Sequence, residues 1–389
     1  MSRSEQELRG TAAIVGVAES ALGVVGAGVT SLDLIGQATV RALADAGLEK
    51  SDIDGLFCHS AFFPLPVTTA AEYLGIRPRF SDGTAMGGSS FVTHLWHATA
   101  AIEAGLCEVA LVVYGSTQRS QGGGLVSSGA PLTRSWEAPY RPRMPSSAYA
   151  MAAARHMYEF GTTREQLAEV AVAARQWAQL NPIAFEQGDL SIEDVINARM
   201  VSTPLTVRDC CLLTDGGGAV IVTSAERAKT LKKPPVFILG AGDATWHMNI
   251  SQMPDLTTTA AVESGRRAFE IAGYSPRDVD VVQVYDAFTI NTILFLEDLG
   301  FCEKGEGGSF VADGNIAPGG GLPVNTNGGG LSYCHPGMYG LLMIIEAVRQ
   351  IRGETGDRQI SDHQLALVHG NGGTLSSQVT AVLGGESTL

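Results

Sequence analysis

Short apolar runs alternate with helical patterns along most of the chain. The apolar runs are continuous and bounded by turn-forming or polar residues, as in buried strands, at residues 12–18, 55–58, 109–114, 236–240 and 281–285. Helices are predicted where apolar residues recur at helical spacing, at residues 90–105, 164–179 and 341–352. The last segment, residues 365–384, predicts a strand, a glycine-rich turn and a second strand.

One stretch of the first half of the chain recurs in the second half. Residues 42–54 align without gaps with residues 268–280, and both copies end in Asp-x-Asp. Each copy lies between two predicted strands, which is the order of a right-handed βαβ unit. The sequence therefore predicts an α/β protein of two duplicated halves, residues 1–235 and 236–389, each with a mainly parallel sheet covered by helices.

The pattern changes between residue 116 and about residue 206. This region contains Gln121-Gly122-Gly123-Gly124, several prolines and the helical run at residues 164–179. It is predicted to be a long insertion in the first half that lies over the functional site.

Composition and charge argue against several classes of protein. Hydrophobic residues make up 45% of the chain and charged residues 17%, as in a globular protein rather than a disordered one. A formal net charge of −14 without a dense basic cluster argues against binding to nucleic acid or to an anionic membrane. The chain shows no secretory start and no long apolar stretch, which predicts a cytoplasmic protein. Its six cysteines lack C-x-x-C spacing, which predicts buried thiols and no metal site.

Residues 324–340 hold the densest set of reactive side chains. Three successive glycines precede Tyr333 and the His-Pro step at His335, and Tyr339 follows. Glycines let backbone N–H groups approach a ligand, and the position before proline keeps His335 extended. This segment is therefore predicted to be part of an active site.

The segment resembles the third active-site motif of the thiolase superfamily, Asn-x-x-Gly-Gly followed by x-His-Pro-x-Gly-x-x-Gly, and is most similar to the sterol-carrier-protein type of thiolase. In this chain the motif begins at Asn325 and contains His335. Further blocks that resemble the family follow the expected order, at residues 204–216, 284–288 and 299–308. The resemblance implies the thiolase fold, a duplicated five-layer α/β/α/β/α sandwich with a loop-domain insertion, and also implies a homodimer and a cleft for acyl-CoA.

The two sulfur groups that thiolases use are missing. The resemblance puts the nucleophilic cysteine at or next to Gly88, where the helix at residues 90–105 begins, and the second thiol just before the C-terminal glycine-rich turn. Ser89 or Ser90 could replace the nucleophile, but serine at a helix start is more often an N-cap. Acyl transfer is therefore disfavoured. The oxyanion and substrate-binding positions that the resemblance implies are Gly88, Ser89, Asn371, Gly372 and Gly373.

Tyrosines stand where relatives have other acid/base groups. The strand-edge motif His-Asp-x-Phe of the sterol-carrier-protein type reads Tyr285-Asp286-Ala287-Phe288 here, and Tyr333 precedes the His-Pro step. The pattern resembles the steroid side-chain-cleaving aldolases of the superfamily, which lack the thiolase cysteines. A tyrosine can act as general acid or base once nearby donors lower its pKa.

This second resemblance implies retro-aldol cleavage of a β-hydroxyacyl-CoA, a steroid side-chain thioester, to a ketone and a shorter acyl-CoA. CoA is then part of the substrate and no separate cofactor is expected. The implied catalytic residues are Tyr285, Tyr333 and His335, and the supporting residues are Asp286, Asn325, Cys334 and Tyr339. Relatives that lack the cysteines often require a small zinc-ribbon and OB-fold partner protein, so a similar heterocomplex is expected.

Several roles stay open at this point. Asp286 is expected to orient either the backbone or His335, Tyr339 either to pack at the next helix or to gate the site, and Cys334 either to fill space or to act as a nucleophile. Two alternatives to the aldolase are a thiolase or acyltransferase that uses a serine or Cys334, and a non-catalytic subunit that binds acyl-CoA or lipid. Carbon–carbon cleavage needs a base, an oxyanion pocket and an acid, but no covalent intermediate.

Overall fold

The computed structural model describes residues 5–121, 137–361 and 363–389. The strands in these ranges are β1 (Ala12–Glu19), β2 (Gly55–Cys58), β3 (Phe80–Asp82), β4 (Val109–Ser116), β5 (Met200–Ser202), β6 (Leu205–Thr206), β7 (Gly216–Ser224), β8 (Val236–Thr245), β9 (Val281–Val284), β10 (Leu365–Gly372) and β11 (Ser377–Gly384). The α-helices are α1 (Ser31–Ala46), α2 (Pro66–Leu74), α3 (Ser90–Glu103), α4 (Ser146–Phe160), α5 (Arg164–Gln179), α6 (Ile192–Ile196), α7 (Ala225–Ala228), α8 (Ala261–Ala272), α9 (Thr289–Asp298), α10 (Gly307–Val311) and α11 (Gly340–Arg352).

The main sheet has the strand order β3-β2-β4-β7-β1-β8-β11-β10-β9. The order β2-β4-β7-β1 is mirrored by β8-β11-β10-β9, in agreement with the duplication read from the sequence. The two series meet where β1 pairs with β8 over only two residue pairs. The prediction of mainly parallel sheets is wrong, because β7 and β11 run antiparallel to both of their neighbours. Among the strands of the described residues, parallel pairs are β2–β3, β2–β4 and β9–β10.

The repeated Asp-x-Asp step has the same structural role in both copies. One carboxylate oxygen of Asp54 accepts two successive backbone N–H groups where β4 begins, at 2.8 and 2.9 Å. One carboxylate oxygen of Asp280 accepts two successive backbone N–H groups where β10 begins, both at 2.9 Å. Each aspartate therefore fixes the start of the strand that lies beside its own.

Two helices form a central layer between the two series of strands. Both α3 and α11 pack against strands of the first series, including β7, and against strands of the second, including β10. Helix α1 covers β1, β4 and β7, and α8 covers β8 and β11. The result is the predicted five-layer α/β/α/β/α sandwich of the thiolase fold. Residues at the starts of α3 and α11 consequently face both series.

The insertion forms α4, α5, α6 and the β5–β6 pair, and packs onto α9. Asp209, which follows β6, connects it to the body: Arg164 pairs with this carboxylate at 2.7 Å, and Thr289 at the start of α9 donates to it at 2.9 Å. His156 on α4 lies 3.0 Å from the Glu297 carboxylate on α9. The glycines at residues 122–124, which were part of the predicted insertion, lie outside the described residues.

None of the helices in the described ranges is long and apolar enough to cross a membrane. The same ranges hold no group of three His, Cys, Asp or Glu side chains that could bind a metal ion. All six cysteines are free: Cys58, Cys107 and Cys334 are buried, whereas Cys210, Cys211 and Cys302 are partly exposed. The prediction of buried thiols therefore holds for only half of them.

Candidate active site

The end of β9 brings Tyr285 next to His335. The Tyr285 N–H donates to the His369 carbonyl of β10 at 3.0 Å, so strand pairing fixes the position from which the phenol projects. Tyr285 Oη lies 3.0 Å from His335 Nε2, with the two rings at 85°. Two side chains from separate sequence motifs thus form one hydrogen-bonded pair.

Burial keeps the imidazole of His335 neutral. The residue is 7% exposed, and burial lowers its pKa to about 4. Its backbone N–H donates to Thr214 Oγ1 at 2.9 Å, which fixes the extended step before Pro336. When the imidazole proton is on Nδ1, Nε2 can accept the proton of the Tyr285 phenol.

A backbone donor also contacts the Tyr285 phenol. The Tyr339 N–H donates to Tyr285 Oη at 3.1 Å. Burial raises the pKa of Tyr285 well above its ordinary value, and this N–H opposes the rise because it stabilises the phenolate. The phenol therefore lies between a proton acceptor and a donor that favours its anion, which is a suitable environment for proton transfer.

The ring of Tyr339 forms one wall of the pair. Its centroid is 5.9 Å from that of Tyr285 and 6.4 Å from that of His335. Its phenol donates to Asn327 Oδ1 at 2.7 Å, and the same oxygen accepts the Gly329 N–H at 2.8 Å. Tyr339 is fully buried directly before α11. Of the two expected roles, packing at the next helix matches this geometry.

Asp286 and Asn325 hold the backbone around the pair. Asp286 accepts the Gly330 N–H at 2.6 Å and the Leu331 N–H at 3.3 Å, so it orients the glycine-rich turn. Burial raises the pKa of Asp286 to about 7, although these N–H groups favour the charged form. Asn325 has a left-handed backbone, φ 53°, and its Oδ1 accepts the Val284 N–H at 2.8 Å.

The turn before α3 leaves no room for a side chain at residue 88. A Cβ on Gly88 would lie 2.6 Å from Tyr285 Cζ and 2.7 Å from the Asn371 carbonyl oxygen. Ser89 is buried, donates to the Met86 carbonyl at 2.7 Å and lies 2.8 Å from Ser377 Oγ. Neither position therefore offers a free nucleophile.

Ser90 has a capping role at the same turn. Its Oγ accepts the Met86 N–H at 2.9 Å, and the residue is fully buried at the start of α3. Gly372 packs so closely on this turn that a Cβ there would lie 2.7 Å from Ser89 Oγ. The two glycine-rich turns expected to bind the substrate are therefore in direct contact.

A further tyrosine, Tyr149, which was not predicted from the sequence, is hydrogen-bonded to the Asn371–Gly373 turn. Asn371 Nδ2 donates to Tyr149 Oη at 3.0 Å, and this phenol donates to the Gly373 carbonyl at 3.3 Å. The ring of Tyr149 stacks on Phe288 with centroids 4.3 Å apart. Tyr149 lies in the alanine-rich helix α4 of the insertion, where nothing in the sequence marks it as part of a site.

Cys334 and Tyr333 make their contacts elsewhere. Cys334 is fully buried with its Sγ 3.1 Å from Thr214 Oγ1, and burial raises the pKa of the thiol to about 12. Tyr333 donates its phenol proton to Glu19 Oε1 at 3.0 Å, and Glu19 pairs with Arg349. The structure therefore brings Tyr339, rather than Tyr333, to the ring of His335, and Cys334 fills space next to it.

Comparison with known proteins gives one family and several relatives of similar length. Residues 242–385 match the family described as thiolase C-terminal domain-like. An acetyl-CoA acetyltransferase of Methanothermobacter thermautotrophicus is 34% identical over 374 residues, which cover 93% of this chain and 96% of the relative. A steroid side-chain-cleaving aldolase of Thermomonospora curvata is 34% identical over 389 residues, which cover 95% and 97%. The solved "Ltp2-ChsH2(DUF35) aldolase" matches 97% of this chain and 99% of that one, with 34% identity and a TM-score of 0.89.

Proposed function

This chain belongs to the thiolase superfamily, and we propose that it is a carbon–carbon lyase that cleaves a β-hydroxyacyl-CoA to a ketone and a shorter acyl-CoA. Aldolase and acetyltransferase relatives are equally similar to it, so the chemistry of the site has to decide between them. The observation that carries the proposal is the Tyr285–His335 pair, whose phenol fills the space that a nucleophilic side chain at residue 88 would need.

The pair supplies the base of the reaction. As the β-hydroxyl of the substrate loses its proton, Tyr285 accepts it, because the Tyr339 N–H stabilises the phenolate and neutral His335 can take the phenol proton. The electrons of the broken O–H bond form the ketone, and the Cα–Cβ electron pair moves to the α-carbon. The product of this step is the thioester enolate.

The two contacting turns provide the oxyanion pocket. An enolate oxygen needs preorganised donors, and backbone N–H groups in glycine-rich turns can approach it closely. Gly88 and Ser89 of one turn lie against Gly372 of the other, directly beside Tyr285. We assign the thioester oxygen to this contact, with the His335 ring on its other side.

The substrate and the partner follow the aldolase relatives. We propose a bulky steroidal side-chain thioester as substrate, supported by the similarity to the steroid side-chain-cleaving aldolase. We also propose that a homodimer of this chain assembles with a small zinc-ribbon and OB-fold protein, since the matching solved structure is named for two components. CoA enters as part of the substrate, with no further cofactor in the reaction.

The test is an assay of ketone release. The full chain, purified alone and as co-purified from its native operon, is incubated with a tertiary β-hydroxyacyl-CoA and with the matching 3-ketoacyl-CoA plus free CoA. Ketone and shortened acyl-CoA from the first substrate are expected, with no thiolysis of the second. Thiolysis without ketone release would contradict the aldolase.

The acetyltransferase relative favours acyl transfer as the second candidate. Acyl transfer through the protein would leave a covalent acyl group on a side chain, which intact-mass spectrometry detects after incubation with acyl-CoA. Cys334 and Ser89 are the residues to map, although burial and hydrogen bonding disfavour both. Tight acyl-CoA binding without either reaction would instead identify a non-catalytic subunit.

A further inference from the structure

Tyr149 connects the insertion to the proposed oxyanion turn. It projects from α4, is 1% exposed, and stacks on Phe288, which lies three residues after Tyr285 and directly before α9. Its phenol oxygen accepts a hydrogen bond from Asn371 Nδ2 at 3.0 Å and donates to the Gly373 carbonyl at 3.3 Å. The phenol therefore lies at the turn to which the thioester oxygen was assigned.

A chain of hydrogen-bonded side chains on the β10–β11 hairpin, His369–Gln378–Asn371, fixes the direction of these hydrogen bonds. Burial lowers the pKa of His369 to about 3, so this imidazole is neutral and carries one proton. Its Nε2 lies 2.9 Å from Gln378 Oε1, which can only accept, so the proton is on Nε2. Gln378 Nε2 then donates to Asn371 Oδ1 at 2.9 Å.

Because the amide oxygen of Asn371 accepts from Gln378, its amide nitrogen is the group that faces Tyr149. An N–H directed at the phenol oxygen means that the proton of Tyr149 must point elsewhere. Burial raises the pKa of Tyr149 to about 12, and the amides of Asn371 and Asn291 oppose that rise. Tyr149 is thus held as a neutral phenol whose anion has a donor ready to stabilise it.

Among Tyr149, Tyr333 and Tyr339, the phenol of Tyr149 donates its proton over the longest distance. Tyr339 donates at 2.7 Å to Asn327, and Tyr333 donates at 3.0 Å to Glu19. Tyr149 donates at 3.3 Å to a backbone carbonyl. A long hydrogen bond is weak and is readily exchanged for another acceptor.

We propose that Tyr149 is the general acid that protonates the α-carbon of the thioester enolate, an inference that rests on the proposed retro-aldol function. In this step the electron pair left on the α-carbon takes the phenol proton, a new C–H bond forms, and Tyr149 becomes a phenolate that accepts the Asn371 N–H. The proton that the Tyr285–His335 pair took from the substrate hydroxyl returns to Tyr149 before the next turnover. Protons and electrons therefore balance without any further reactant.

The two tyrosines can be separated by exchange of the α-hydrogens of the product. Incubated in D₂O, the shortened acyl-CoA exchanges these hydrogens by the reverse of the protonation step, which involves Tyr149 but no hydroxyl base. Tyr149→Phe should slow both exchange and cleavage by about 100-fold or more. Tyr285→Phe should slow cleavage by a similar factor and keep exchange within about threefold of the wild type.

Binding and a control variant exclude a merely structural role. The Kd for the shortened acyl-CoA should stay within about threefold of wild type in Tyr149→Phe, because the stacked ring remains in place. Tyr158→Phe removes an exposed phenol from the same helix and should change neither rate nor binding. Asn371→Asp replaces the donor that faces Tyr149 by an acceptor and should slow exchange as well.

Exchange at the wild-type rate in Tyr149→Phe would overturn the assignment, as would a loss of exchange that merely follows a loss of binding. Failure of the proposed function gives a different result. A wild-type protein that exchanges α-hydrogens through Tyr149 but releases no ketone would refute the retro-aldol reaction and leave Tyr149 as an acid/base residue.

Discussion

The ring of Tyr285 occupies the space in front of Gly88. A Cβ on residue 88 would lie 2.6 Å from Tyr285 Cζ, closer than side-chain carbons approach one another in folded proteins. A phenol at residue 285 and a nucleophile at residue 88 therefore exclude each other in this backbone. The same scaffold can support chemistry through sulfur or through a phenol, but not both at this position.

The first prediction concerns this exclusion. Gly88→Ala should lower the free energy of unfolding by about 1–3 kcal/mol, the usual range for overpacking, and should impair turnover. Gly188→Ala is the control, since a Cβ there would meet no heavy atom of the described residues within 4 Å apart from its own chain neighbours. Urea denaturation measures both. In a Tyr285→Ala background the penalty should shrink without vanishing, because the Asn371 carbonyl stays in place; equal stability of the two alanine variants would contradict the steric argument.

Loss of the Tyr285 hydroxyl should remove the base. Tyr285→Phe should lower kcat by about 100-fold or more, the usual effect of removing a positioned acid or base. The variant should still fold, with a melting temperature lowered by the loss of two buried hydrogen bonds. Steady-state ketone release gives kcat, and circular dichroism gives the melting temperature. An active, folded Tyr285→Phe variant would mean that another group takes the hydroxyl proton.

Tyr333 should matter for stability more than for turnover. Tyr333→Phe removes the hydrogen bond to Glu19 and should cost about 1 kcal/mol of unfolding free energy, a typical value for one buried hydrogen bond. Its kcat is expected within about threefold of wild type, since a phenol held by Glu19 is not an acid or base of the reaction. A large loss of kcat with unchanged stability would restore the catalytic role expected from the sequence.

Cys334 should be dispensable for the reaction. Burial raises the pKa of its thiol to about 12, and a thiol that stays protonated is a poor nucleophile. Cys334→Ser and Cys334→Ala should therefore keep most of the retro-aldol activity. Iodoacetamide labelling mapped by mass spectrometry should leave Cys334 unmodified in the folded protein. An inactive but folded Cys334→Ser variant would bring covalent acyl transfer back as the leading mechanism.

His335 should contribute a loss of stability as the pH is lowered from about 6.5 to about 4. The pKa of His335 is about 4 in the folded protein, below the ordinary value of 6.5, so between these limits the unfolded chain binds more protons than the folded one. This group alone contributes on the order of 3 kcal/mol of pH dependence. Asp286 acts in the opposite direction, because its pKa is raised to about 7.

Urea denaturation at a series of pH values measures this slope. His335→Gln keeps a similar shape without a titratable ring, so its unfolding free energy should fall less steeply with decreasing pH than that of wild type. Identical slopes for both proteins would mean that His335 titrates normally in the folded state.

Local patterns predicted the elements better than their arrangement. Helix α5 has the predicted bounds, because Thr163 and Gln166 form a capping box and its apolar positions follow the helical period. The apolar runs marked β1, β2, β4, β8 and β9, and the C-terminal segment marked β10 and β11, whereas β3, β5, β6 and β7 were not predicted. The strand directions could not be predicted either, since alternation or burial along a strand does not depend on its direction. Whether β7 and β11 run parallel or antiparallel is decided by the connections that lead into them.

The site motifs predicted Tyr285, His335 and the neighbouring Tyr339 as site residues, but not Tyr149. Tyr149 reaches Asn371 across 222 positions of sequence, a contact that only the docking of the insertion creates. Tyr333 was expected in the site because it lies in the glycine-rich motif, directly before the Cys-His-Pro step. The end of this glycine-rich stretch forms a single π-helical turn, Gly329–Tyr333, and Tyr333 donates to Glu19 instead.

The contact between the two glycine-rich turns also has a consequence for the order in which the protein folds. Ser89 and Ser377 meet across 288 positions of sequence, so this part of the site cannot form until both series of strands and the central helices have assembled. The helices and the β10–β11 hairpin depend on neighbours in the chain and can form first. A newly synthesised or refolding molecule should therefore acquire its full secondary structure while still inert, and become an enzyme only in the last step of docking.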